Sequence, residues 1–305
     1  MSLGYNQRMK KKVIVMLLLS LSLVGNGRPV KREKAPGTGL FWKIQGKGIT
    51  AHLLASSPLQ KKTDPPLSEF VTKIFTDSPV LILMMHLPED EAKINEAYIL
   101  QKGMYIGEKT LKAEISAKTY LDMKLLMKEY GLEPFMFAKV KPWMASIVLT
   151  LNELKRLGYG YEEGPTYTLL AAGEKKNTIG LLQLSESIEL LDLFSREESE
   201  RYLQMNILAC RWIQKNHEQL HNALINGDLA YLEETFEKQK KEQPLVRYFQ
   251  NLFDAQHNRL IYSRLEKNLQ VHHSCFMIFD VEALTGEKGV LNWLKKQGYQ
   301  LTQIH

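Results

Sequence analysis

Residues 39–56 read GLFWKIQGKGITAHLLAS. Two apolar-rich runs, Leu40–Gln45 and Ile49–Ser56, flank Gly46-Lys47-Gly48. Short runs separated by a glycine-containing turn predict a β-hairpin, because such turns need backbone angles that glycine reaches without strain. A lone hairpin is marginal in water, so these strands must join a larger sheet. Val80–Leu87 (VLILMMHL) is a continuous apolar run of strand length, the pattern of a strand covered on both faces, and Pro88 ends it. Asn177–Leu182, Ser274–Phe279 and Tyr299–Ile304 read as further short strands, with His272-His273 in a polar turn leading into the second of them. Helical spacing covers Leu67–Phe75, Glu89–Gln101, Ser116–Leu157 (interrupted at Gly131 and Pro134), Ser185–Gln243 (broken near Ser195 and at Asn226-Gly227-Asp228), Pro244–Leu269 and Gly289–Gln297. Pro142 suits the first turn of its helix. Strands at both ends around a long helical middle predict an α/β (α+β) fold. Its mixed central sheet is fed from both ends of the chain, with residues 40–305 as a single domain.

The chain has 305 residues, 44% hydrophobic and 24% charged, enough to build a core. Its net charge of +6 suggests a nucleic-acid partner until the charges are placed. Arg8 and Lys10–Lys12 stand without acids in residues 1–27, and Arg28, Lys31, Arg32 and Lys34 outweigh Glu33. These account for a net charge of +7 and leave 35–305 close to neutral, which argues against binding a phosphate backbone. Lys10–Lys12 precede Val13–Val24 (VIVMLLLSLSLV), an apolar run short for a membrane span and suited to a signal-peptide core. The expectation is a signal peptide over 1–27, cleaved after Gly27, then a proline- and glycine-containing linker over 28–39. The product would be exported, periplasmic or extracellular, touching the membrane only if the N-terminal segment stays uncleaved as an anchor. In an oxidising compartment Cys210 and Cys275 could pair; two buried free thiols are the other possibility.

His217-Glu218-Gln219-Leu220-His221 spells H-E-x-x-H, which puts two imidazoles on one helical face as zinc-dependent hydrolases do. A third ligand is needed. The extended motif would place His at 227, where the chain has Gly227, and Glu233, Glu234 and Glu237 are merely nearby. Leu203, Ile207, Cys210, Ile213, Leu220 and Leu224 form an apolar stripe bordered by His217 and His221, so an ordinary amphipathic helix explains the pattern as well.

Four stretches, in order, resemble the TraB/GumN family, whose animal members are the Tiki proteins: the opening GLFWKIQGKGITAHLLAS, KPWMASIVLTLNELKRLGY at 141–159, INGDLAYLEETF at 225–236 and LTGEKGVLNWLKKQGYQL at 284–301. The resemblance implies an exported or membrane-associated α/β domain built from two related halves. Some members are metal-dependent proteases, with two G-x-x-H motifs, acidic residues and an Arg forming the site. Carried over by residue, the first motif reads Ala55-Ser56-Ser57-Pro58 and the second Asp280-Val281-Glu282-Ala283, so both histidines are gone. The acidic strand carries Met84-Met85-His86, Gly-Leu-Glu has become Gly180-Leu181-Leu182, the Gly-x-Asp expected near 164 reads Gly164-Pro165-Thr166, and the Arg-Asn pair reads His257-Asn258. The H-E-x-x-H motif falls where the family has only a variable helix.

Pro58, Met84, Leu182 and Ala283 cannot ligate a hard or borderline cation, while the turn, Pro-Trp and Gly-Tyr scaffold positions are kept. The expectation is a pseudoenzyme with no cofactor that binds an unknown protein or peptide ligand. The alternatives are a hydrolase binding Zn, Mn or Co through His217, Glu218 and His221, one with a rebuilt pocket of His86, His257 and Glu282, and a structural envelope component.

Overall fold

A computed structural model describes residues 39–88, 91–160, 164–173 and 175–304. The expected signal peptide and nearly all of the linker lie outside the described residues. In chain order the elements are β1 (Phe41–Gly46), β2 (Ile49–Ser56), α1 (Glu69–Asp77), β3 (Val80–Met85), α2 (Ala92–Gly103), α3 (Leu111–Glu114), α4 (Ala117–Glu129), a 3-10 turn (Pro134–Phe137), α5 (Pro142–Arg156), α6 (Pro165–Ala172), β4 (Asn177–Leu182), α7 (Leu184–Asp192), α8 (Arg196–Ile225), α9 (Leu229–Glu242), α10 (Pro244–Val271), β5 (Ser274–Asp280), α11 (Val281–Leu284), α12 (Val290–Lys296) and β6 (Gln300–Ile304). The chain divides into two compact units. One holds Leu87–Gly158 and Gln183–Lys215; the other holds the stretch up to His86, Tyr159–Leu182 and Asn216–His305.

The second unit carries the sheet, in the order β4-β3-β5-β2-β1-β6. β4, β3, β5 and β2 are parallel to one another, whereas β1 is antiparallel to both β2 and β6. This is the mixed α/β sheet that the pattern calls for, with strands from both chain ends. The hairpin pairs Gly46 with Ile49, leaving a two-residue loop in which Lys47 (φ 53°) and Gly48 (φ 76°) both take positive φ. That is the type I′ pattern, whose twist matches the strands it joins. The loop also explains the closing Gly-Tyr: Gly46 Cα, bare of a side chain, lies beside Gly298 and Tyr299, and Lys47 Nζ sits 5.1 Å from the centre of the Tyr299 ring. The first and last resembling stretches are neighbours because β6 pairs with β1.

One sheet face is sealed by Phe41, Leu54, Leu81, Phe276 and Ile278 from the strands with Val71 and Phe75 from α1 and Leu169 from α6. The Phe75 ring meets Phe276 edge-on at 5.2 Å, and Phe41 stacks on Phe276 at 5.8 Å. Burying each such ring is worth about 1.5–3 kcal/mol.

The other unit is helical. Its Lys141-Pro142-Trp143 start of α5 has a local logic. Pro142 occupies the first turn, where no backbone donor is missed, Trp143 is buried in the unit's core, and Lys141 Nζ lies 2.5 Å from Asp192 of α7. Further along α5 the fully buried Glu153 carboxylate accepts from Arg156 at 2.6 Å and from Gln214 at 2.9 Å.

Candidate functional site

Because β2, β5, β3 and β4 run parallel, their C-terminal ends share one edge, the place where open α/β sheets bind ligands. The register sets Ser56 beside Asp280, Leu83 beside Ile278 and Met85 beside Leu182. It therefore gathers Pro58, Met84, Leu182, Glu282 and Ala283 at that edge, although they are far apart in sequence. β3 ends at Met85 rather than at Leu87, so His86 lies just beyond the strand and is exposed. Gly180 makes this exit possible: a Cβ there would come within 2.7 Å of the His86 backbone nitrogen. Pro58 and Leu182 are buried, Met84 is half-buried, and Glu282 and Ala283 are half-buried in α11, a one-turn helix the sequence pattern does not announce.

A divalent ion would need converging nitrogen and oxygen donors, and Pro58, Met84, Leu182 and Ala283 do not fit one. His86 and Glu282 leave this edge from the neighbouring strands β3 and β5. His257 stands on α10, where it stacks on Phe253 with ring centres 5.9 Å apart. Seven residues further along α10, Arg264 Nη1 donates to the Leu181 carbonyl oxygen at 2.7 Å, which places a guanidinium at the end of β4. The sequence reading does not single out Arg264, because it reaches the edge through a backbone oxygen rather than a motif.

The H-E-x-x-H motif has a different setting from the one its sequence suggests. The family resemblance makes it part of a variable helix; the structure lays His221 against the loop that follows Pro58 and His217 against Tyr159. His221 is buried, with Nδ1 2.9 Å from the Leu59 carbonyl oxygen and Nε2 3.0 Å from Asp64 Oδ1. Asp64 Oδ2 also accepts from the Lys61 backbone N–H at 2.7 Å. His217 Nδ1 lies 3.0 Å from the Tyr159 hydroxyl, whose ring is edge-on to both imidazoles and carries Lys61 Nζ at 4.6 Å over its face. Burial pushes the Tyr159 hydroxyl up to about 12, with Glu218 and Asp64 adding to the shift. Both His221 ring nitrogens are thus engaged by oxygens of the 59–64 loop, and the side chain clasps α8 to that loop. Asp64 and Tyr159 are the residues the sequence reading misses. Lys-Thr-Asp-Pro-Pro at 62–66 signals only a loop, and nothing in its spacing points to residue 221.

A cavity of about 60 Å³ lies against this clasp, lined by Leu54, Gln60, Asp64, Thr166 and Leu224 among others. That is room for about two waters. A groove of about 320 Å³ opens between α10 and the 287–296 segment, within the range of small-ligand sites. Tyr262 and Trp293 stack there nearly parallel, ring centres 4.9 Å apart, and Asn258 donates to the Lys288 carbonyl oxygen. Asp254 also lines it; burial raises its carboxyl above the usual range against the pull of Lys288 and Lys240. Cys210 and Cys275, left open above, are both buried free thiols.

Comparison with curated proteins and with solved structures gives no match. Comparison with protein families matches residues 40–303, from the opening hairpin to the closing strand. The chain belongs to the TraB/PrgY/gumN family.

Proposed function

We propose that this protein is an exported, catalytically degenerate family member that acts by binding a protein or peptide ligand, with no resident metal. The observation that carries the reading is the donor chemistry at the C-terminal edge of the parallel strands, where proline, methionine, leucine and alanine stand at the positions the family resemblance assigns to ligands and acids. The hydrogen bonds on both His221 nitrogens support it further. The groove beside the stacked Tyr262 and Trp293 is where a side chain or short peptide would fit, with Asp254, Lys288 and Lys296 to pair with its charges. Export rests on Lys10–Lys12 and Val13–Val24.

Thermal melting with EDTA and with Mn²⁺, Co²⁺ or Zn²⁺, together with metal analysis of the purified chain, tests this. A folded-state site held at one hundred times its Kd would add about 2.7 kcal/mol. The expected result is no shift and no stoichiometric metal. About one ion per chain, lost in a His217→Ala/His221→Ala variant, would establish instead the second reading, a metal-dependent protease or hydrolase. That reading draws on one observation: His217, Glu218 and His221 sit beside the buried Asp64, next to the loop where the family's first motif belongs. Mass spectrometry of the mature N-terminus tests export, and an intact Met1 in the periplasmic or secreted fraction would refute cleavage after Gly27.

A further inference from the structure

Thirteen large apolar side chains are exposed among the described residues, and nine of them belong to the helical unit. Five of the nine fall into two features, which Lys112 and Lys124 bring together by both lying over the Tyr120 ring, at 5.9 and 6.0 Å. The first is a laced loop. Met104 bridges Val140, Tyr105 N–H donates to the Lys139 carbonyl at 2.7 Å, Leu111 N–H donates to that of Ala138 at 3.0 Å, and Lys139 Nζ donates to the carbonyls of Gly107 and Lys109. These bonds hold 104–111 against 135–140, yet Ile106 is 88% exposed, Phe135 76% and Met136 53%. The second feature is α4. Its inner stripe of Thr119, Met123, Leu126 and Met127 is buried, while the opposite face presents Lys118, Leu121, Lys124, Leu125 and Lys128 to solvent. A helix with apolar residues on both faces is normally covered on both.

The charge of this region differs from that of the near-neutral body. Residues 102–141 hold eight lysines and five acids. Three of those acids are already engaged: Asp122 by Lys118, Glu129 by Arg211 and Glu114 by Arg196. Lys109, Lys112, Lys124 and Lys128 are exposed and make no ion pair among the described residues. Lysine is depleted in the cores of protein–protein interfaces. Isolated apolar side chains set among lysines form the pattern of a bilayer surface: the rings and aliphatic tips enter the acyl boundary and the long ammonium stems reach back to the phosphates.

We infer that this face of the helical unit rests on an anionic lipid surface, with Ile106, Phe135 and Met136 inserted and Lys109, Lys112, Lys124 and Lys128 at the headgroups. The loop is already tied down by backbone bonds, so insertion costs little ordering. The inference goes beyond the binding role proposed above and uses none of its residues.

The test uses the full chain carrying Phe135→Cys, labelled with an environment-sensitive fluorophore; the native thiols are buried and stay unlabelled. Vesicles are pure phosphatidylcholine or a 7:3 mixture with phosphatidylserine. The label should shift to the blue with the anionic vesicles and much less with the neutral ones. Adding Lys124→Glu and Lys128→Glu should weaken that response roughly 30-fold or more, at about fivefold for each lysine lost from an anionic surface. A label at Phe70→Cys, an exposed aromatic of the sheet unit, should stay in water. Vesicle binding through the apolar N-terminus would not favour position 135 over position 70. The inference is overturned if the 135 label stays in water while the protein floats with the vesicles, or if both labels respond alike. A shift that needs no lipid and rises with protein concentration would overturn it in favour of a contact between copies of this chain.

Discussion

Replacing Asp64 with alanine tests the clasp reading of the H-E-x-x-H motif directly. The Asp64 side chain is 6% exposed and that of His221 9%. The substitution removes the acceptor for His221 Nε2 and for the Lys61 backbone N–H at once. Breaking a buried pair by deleting one partner costs about 3–5 kcal/mol, because the other charge is left without compensation. The lower figure, about 3 kcal/mol, is the expectation. For a folding unit of this size that lowers the melting temperature by about 6–12 °C. Asp64→Asn keeps an acceptor and should lose about half as much. The double variant Asp64→Leu/His221→Leu should be less damaged than the sum of its singles, since neither group is then orphaned. Urea unfolding followed by circular dichroism at pH 7 gives each figure, with the wild type, Asp64→Leu, His221→Leu and their double variant compared as a cycle. A cost below about 0.5 kcal/mol for Asp64→Ala, or a coupling indistinguishable from zero, would refute the clasp. A loss seen only when zinc is present would return the motif to metal chemistry.

Other perturbations address the rest of the molecule. Gly180→Ala pushes a methyl to within 2.7 Å of the His86 backbone and should cost about 1–3 kcal/mol in denaturant titrations. His52 pairs across the hairpin with Lys43 and stacks on Phe41; burial and then the Lys43 charge hold its pKa below the ordinary 6.5. The unfolded chain therefore binds this proton first. Stability should be full above pH 6.5 and fall as the pH drops through 6.5 toward the lower folded value, and His52→Gln should remove that part of the slope. Burial pushes both thiols up to about 12, so a thiol reagent at pH 8 should find none in the native protein and two per chain in guanidinium; one fast-reacting thiol in the native state would contradict the buried placement.

Periodicity and punctuation carried most of the fold. The run VLILMMHL read as a strand buried on both faces, and the burial holds for Val80, Leu81 and Ile82 while Leu83, Met84 and Met85 are half-buried; Gly-Lys-Gly read as a turn, and all three of its residues take positive φ. What stayed hidden follows from distance along the chain. Parallel register sets Ser56 beside Asp280, and no local pattern encodes a pairing across that span. The same holds for the site. The losses at Pro58, Leu182 and Ala283 were legible as residue types, whereas the approach of Asp64 and Tyr159 to His217 and His221 depends on where a loop and a helix end come to rest. His86 shows the smaller error: an apolar run gives no sign that the strand stops at Met85.

The central position of β5 has a consequence for how the molecule is made. β2 and β3 leave the ribosome early, but in the finished sheet both lie against β5, which begins at Ser274. At about 5–20 residues per second the two early strands wait on the order of 10–45 s for the partner that joins them, and β1 waits longer still for β6. Through that interval the apolar VLILMMHL lacks its β5 neighbour, and until Asn177–Leu182 is made it lacks β4 as well, open to chaperones and to aggregation alike. Translation speed between residues 86 and 274 should accordingly govern yield more than the final stability does.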